Sequence, residues 1–195
     1  MRRVTAAAAI LLATAVALGA GPLTEVERQR LVAHLDMTGS WLEDELSGLS
    51  PAQLGFRRAP EAWTILEVFD HLVVVGEIYW KDLQNARPAS DGRVSWMNDA
   101  DVLWYGIDRT RRETALATEQ PSRTLRDLRA GLEEYQKQHA RLVRYIKTTT
   151  DDLRSRLVAR QGCDAYQWAL LMSTHEQRHI LQIREIKADP KYPKK

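Results

Sequence analysis

The chain has 195 residues, 28% of them charged and 44% hydrophobic, with a formal charge of +2. That size suits one domain with a single core, and the composition excludes a disordered or low-complexity chain. Scattered basic residues leave no footprint for nucleic acid, and a lone cysteine, Cys163, excludes an intramolecular disulfide and any cysteine-based zinc site.

Met1-Arg2-Arg3 is a basic opening, followed by an uncharged run of about 17 residues from Val4 to Ala20. Ala17-Leu18-Gly19 offers the small residues of a signal-peptidase site, and Gly21-Pro22 marks a break before folded structure. Residues 1–20 are therefore read as a signal peptide and 21–195 as one mature domain, exported to the periplasm or secreted. An uncleaved anchor is the alternative, because the run lies near the lower length limit for a membrane span. After cleavage no stable membrane span is expected.

Four segments carry helical periodicity. Thr24-Glu25-Val26-Glu27 is a capping box, and its helix buries Leu31, Leu35, Leu42, Leu46 and Leu49 until Ser50-Pro51 ends it. Thr64-Ile65-Leu66-Glu67 is a second capping box, with Trp63 and Val68 set for a hydrophobic staple. That helix runs to about Ala86, and its Leu72–Val75 centre is apolar all round, which predicts burial on most sides. Residues 87–122 are too long for a structureless connection, and Asn98-Asp99-Ala100-Asp101 before Val102-Leu103-Trp104-Tyr105 predicts a short extra helix. Trp96, Trp104 and Tyr105 are expected to pack over the bundle mouth near the site and limit access to it. A third long helix begins near Thr124 with the seam Leu125, Leu128, Leu132, Tyr135, His139, Leu142, Ile146, and a fourth opens at Asp164 and runs to about Lys187. No segment alternates over a strand's length, so the prediction is an all-α four-helix bundle.

The chemistry concentrates in His175-Glu176-Gln177-Arg178-His179. Residues four apart stand one above the other on a helix, so both imidazoles reach one ion. They share a stripe with Trp168, Leu171, Met172 and Ile186, which is the core face. Uncoordinated imidazoles there are costly to bury without partners. His71 supplies a third donor, one turn from Val68 and Val75. Three satisfied core histidines are the alternative. The preferred reading is one divalent transition metal on His71, His175 and His179. His175 to His179 also matches the zincin protease motif H-E-x-x-H, but no downstream Gly or His follows as that family requires, and Glu185 has rotated off the histidine face.

The combined pattern resembles the DinB/YfiT-like superfamily. The residues that carry the likeness are Trp63-Thr64-Ile65-Leu66-Glu67-Val68 with Asp70-His71-Leu72, then Asp108-Arg109-Thr110-Arg111-Arg112. The last block is Asp164-Ala165-Tyr166-Gln167-Trp168 through His175-Glu176-Gln177-Arg178-His179-Ile180-Leu181-Gln182-Ile183. The likeness implies a four-helix bundle, His71, His175 and His179 as ligands, and zinc or nickel as the metal. It also implies thiol-dependent transferase, isomerase or hydrolase chemistry, and a possible homodimer.

An open three-imidazole site serves hydrolysis and thiol transfer alike, since a divalent ion lowers the pKa of either water or a thiol. Around it, Gln182 suits a supporting hydrogen bond one turn beyond His179. Glu67 serves as helix cap or as orienter of His71. Glu176 is either a solvated carboxylate or a catalytic base. His34 and His139 are read as core or boundary histidines, and Arg109, Arg111 and Arg112 as a solvated run or an anion contact. Cys163 sits before a helix N-cap, where a dipole favours thiolate, but roughly 18 Å of helix separate it from His175. The functional expectation is an exported metal-dependent hydrolase or transferase with a small-molecule substrate. The alternatives are a non-catalytic metal-binding module and, third, a zincin-like protease.

Overall fold

The structure, a computed structural model, describes residues 21–88, 95, 97–160 and 162–194. The expected signal segment lies outside the described residues, as does Trp96. Four long helices form the bundle: α1 (Glu25–Leu46), α3 (Ile65–Gln84), α5 (Leu128–Thr148) and α6 (Ala165–Lys187). Capping boxes at Thr24, Thr64 and Asp164 open three of them, each with the side chain three residues on closing the reciprocal bond. α1 and α3 each pack against both α5 and α6, so the order around the bundle is α1, α5, α3, α6. Among the described residues no helix is long and apolar enough to cross a membrane.

The predicted extra helix is present as α4 (Asp99–Ile107), capped by Asn98 with Asp101 completing the box, and it lies along α6. Three local features depart from the sequence reading. α1 stops at Leu46 rather than running to Ser50: Gly48 adopts φ 65° and a four-residue helix α2 (Pro51–Leu54) follows, capped by Ser50. Leu49 still packs, half-buried, beside Leu46 and Leu42. α5 begins at Leu128, not Thr124, because the buried Asp70 carboxylate takes the Ser122 hydroxyl (2.8 Å) and the Arg123 N–H (2.6 Å). Arg123 is thereby held at φ 58°, outside helical geometry. Finally, three strands of two or three residues, β1 (Arg87–Pro88), β2 (Arg156–Val158) and β3 (Cys163–Asp164), form an antiparallel sheet in the order β1-β2-β3. They are too short to show alternation, and they tie the α3–α4 and α5–α6 connections together.

The core is not one continuous apolar mass. One cluster gathers Leu31, Leu35, Val75, Tyr79, Leu142, Ile146 and Trp168, and the other gathers Leu42, Leu46, Val68, Phe69, Ile180 and Ile183. In α1, α5 and α6 polar or small residues separate the two clusters, among them Thr38 and Gly39, His139, and Ser173 to His179, while His71 of α3 is set among second-cluster residues between Phe69 and Leu72. Ser173 anchors this layer, bonded to His34 Nδ1 (2.7 Å) and to the Thr38 hydroxyl (2.8 Å). Gly39 gives the His139 ring its room there, since a Cβ would stand 2.7 Å from the ring and force it to move. The layer holds all five histidines of the chain, and the candidate site lies within it.

Candidate metal centre

His71 stands in the second turn of α3, and His175 and His179 stand one turn apart in α6. The three Nε2 atoms form a compact triangle: 3.1 Å from His71 to His179, 3.1 Å from His175 to His179, and 3.4 Å from His71 to His175. Donors on one tetrahedral ion with bonds of about 2.0–2.1 Å lie about 3.3–3.4 Å apart; the 3.4 Å side matches this and the two 3.1 Å sides are slightly shorter. His34 and His139 are elsewhere in the polar layer, and among the described residues no further His, Cys, Asp or Glu joins the three. His34 is bonded to Ser173, and the His139 ring lies 5.8 Å from that of Tyr135, tilted by 38°, with Asp36 at 3.8 Å.

The protonation pattern is legible from the other nitrogens. His71 Nδ1 meets the Glu119 carbonyl at 2.5 Å, and His179 Nδ1 meets Gln182 Oε1 at 2.8 Å. Both partners are acceptors only, so each Nδ1 carries the hydrogen and each Nε2 presents a lone pair. Two lone pairs then face each other at 3.1 Å inside the protein, and His175 has at most one proton to share between them. A cation at the centre of the triangle resolves that conflict. The residues fit a metal ion.

Burial keeps these rings neutral. It lowers the His71 pKa, brings that of His175 down to about 3 with help from His71 and Arg178, and holds His179 well below the ordinary imidazole value. Glu176 moves the other way: burial pushes its carboxyl up to about 8, against the hydrogen bond from Tyr135. The Tyr135 hydroxyl donates to Glu176 Oε1 at 2.5 Å, linking the diagonally placed helices α5 and α6 through the core. Glu176 is only 7% exposed, so the solvated alternative for this residue does not hold.

Aromatic rings enclose the triangle. Trp63 lies 4.9 Å from the His71 ring and 6.3 Å from that of His179, while Tyr79 and Tyr105 flank His175 at 5.4 and 6.5 Å. Tyr105 thus covers the site as expected from sequence. Trp104 does not, being 64% exposed on the outer face of α4. α4 is held in place by Arg178, a buried guanidinium that donates to the carbonyls of Tyr105 (3.2 Å), Asp108 and Arg111 (2.5 Å) and sits over the Tyr105 ring. The Tyr105 and Asp108 carbonyls are among the orphans at the C-terminus of α4, where a cation is favoured, and Arg111 lies in the segment just beyond.

Gln182 is the supporting partner the sequence suggested. Glu67 closes its capping box and pairs with Arg57. Arg109 forms a two-pronged ion pair with Glu185, both contacts at 3.0 Å, while Arg111 and Arg112 are exposed. Cys163 lies in β3, 1% exposed, and burial pushes its thiol up to about 12, so no thiolate forms there. Sequence reasoning missed Glu119, whose carbonyl fixes His71, and Arg178. Glu119 ends a 3-10 turn (Ala117–Glu119) 48 residues downstream of His71 and carries no local signal, whereas a cationic residue between two core histidines could have flagged Arg178.

A family model described as DinB superfamily matches residues 24–183. The match spans all four long helices and the three histidines, and the chain belongs to that superfamily. No curated protein and no solved structure matches it.

Proposed function

We propose that this DinB-superfamily protein is an exported metal-dependent enzyme, a hydrolase or transferase acting on a small molecule, with zinc or nickel on His71, His175 and His179. The observation that carries this reading is the triangle of three buried imidazole Nε2 atoms, 3.1–3.4 Å apart. A divalent ion there would supply Lewis acidity, bringing water or a thiol toward ionisation at neutral pH. Three neutral imidazoles leave the charge of such an ion uncompensated. No fourth protein donor joins them among the described residues, which favours a position for a small molecule over a purely structural site.

The chain's own groups complete the arrangement. Trp63 and Tyr105 screen the triangle from bulk water, and Arg178 keeps α4 seated above it. Glu176, protonated up to about pH 8, is assigned as the acid–base residue. The protease reading loses support, because the described strands are two or three residues long and offer no edge for an extended peptide.

Elemental analysis of protein purified without chelators tests the reading. Near one equivalent of zinc or nickel is expected, sharply reduced in His71→Ala, His175→Ala and His179→Ala. Protein supplied with both metals that binds neither in near-stoichiometric amount would end the proposal. Screens for ester and amide hydrolysis and for thiol transfer then choose between the reaction classes. N-terminal sequencing of the exported protein should begin close to Ala20 or Gly21, and recovery of only full-length chain from the cytoplasm would contradict export.

A further inference from the structure

A half-open pocket with about 50 Å³ of room for water lies in the polar layer between α1, α3, α5 and α6. Its polar wall carries Tyr135, Gln138, His139 and Glu176, its apolar wall Leu35 and Leu142, and His175 belongs to its lining. A metal-bound imidazole almost always donates its second ring nitrogen to an acceptor, which fixes the tautomer and raises the basicity of the coordinating nitrogen. His71 and His179 have protein acceptors for this purpose. His175 does not: its Nε2 is turned to the other two rings, and among the described residues its Nδ1 makes no hydrogen bond. Nor is that nitrogen sealed in by protein. Among the described residues, the fully enclosed side-chain atoms lacking a partner are Arg141 Nε and Tyr192 Oη. A nine-tenths buried imidazole with an accessible, unpartnered nitrogen therefore lines a cavity that also holds a buried carboxyl group.

We propose that this cavity is a binding site for a water-sized oxygen ligand, which accepts the His175 Nδ1 hydrogen and bonds to the Glu176–Tyr135 pair. A buried water needs about 10–15 Å³ of such space and two to four polar partners, and the cavity meets both conditions. The inference rests on the metal reading above and adds a consequence to it. Two of the three imidazoles are braced by protein and the third by an exchangeable molecule held in the pocket. Metal affinity then depends on what the cavity holds.

Two measurements decide it. A high-resolution crystal structure of the wild-type protein loaded with zinc should show an ordered oxygen within about 3.2 Å of His175 Nδ1. Clear density without that oxygen overturns the proposal. Leu142→Phe fills the cavity from α5, away from the three histidines. It should keep the metal stoichiometry and the melting temperature of the chelated protein. It should also weaken zinc binding by about 10–100-fold in a chelator competition and shift the visible bands of the cobalt-substituted protein. A dissociation constant within about twofold of wild type, with the ring seen in the cavity, also overturns it. If Leu142→Phe does not fold, the wild-type crystal structure is decisive by itself. Wild-type protein that binds no metal refutes the metal reading instead, and the oxygen at Nδ1 can still be sought in those crystals.

Discussion

Glu176→Gln isolates the electrostatics of the polar layer. The carboxyl has a pKa of about 8 in the fold against 4.5 in the unfolded chain. Between those values the folded state keeps a proton that the unfolded state has released. Stability therefore falls as pH rises from 4.5 to 8, at about 1.4 kcal/mol per pH unit, and levels off above that window. Across the window the loss attributable to this group is on the order of 4 kcal/mol. Glutamine keeps an acceptor for the Tyr135 hydroxyl and removes the titration. The gap in melting temperature between Glu176→Gln and wild type should thus widen in favour of the variant from pH 4.5 to pH 8. At about 2–4 °C per kcal/mol for a chain of this size, the widening is on the order of 10 °C. The assay is thermal unfolding in a chelator, because a bound divalent cation would favour the ionised carboxylate. A gap that stays constant over the window would show that Glu176 is not buried as a neutral acid.

Three further outcomes follow from the same contacts. Gln182→Leu removes the acceptor on His179 Nδ1 and should weaken zinc binding by about 10–100-fold in chelator competition, with stoichiometry retained; an unchanged affinity would dismiss Gln182 as a supporting partner. Arg178→Met frees the carbonyls at the end of α4, so amide hydrogen exchange across residues 99–111 should accelerate while α1 and α5 stay protected; uniform exchange behaviour would contradict the clamp. His34→Ala and His139→Ala should leave bound metal near the wild-type level, and loss of metal from either would enlarge the donor set beyond the three assigned.

What could be read from sequence was local. Capping boxes at Thr24, Thr64 and Asp164 lie within four residues and announce their helices directly, and the four-residue spacing of His175 and His179 needs only helical geometry. What could not be read depended on distant chain. The start of α5 is set by Asp70, more than fifty residues upstream. The acceptor on His71 is a backbone carbonyl, which no side-chain pattern reveals. α6 was the most deceptive element. Ser173, Thr174, Glu176 and Arg178 read as polar surface residues, yet all four are buried: Thr174 and Arg178 lie against α4, Ser173 bonds to α1, and Glu176 meets Tyr135 of α5.

The position of α6 in the chain also bears on when a metal can be acquired. It is the last long helix, and it supplies two of the three donors as well as contacts to α1, α3 and α4. During synthesis or translocation, His71 emerges more than a hundred residues ahead of its partners and has nothing to chelate with. An ion can be captured only after the C-terminal segment has arrived and docked. Since sites of this type take their metal as much by availability as by affinity, its identity would be set by the compartment in which the chain finishes folding, not the one in which translation starts.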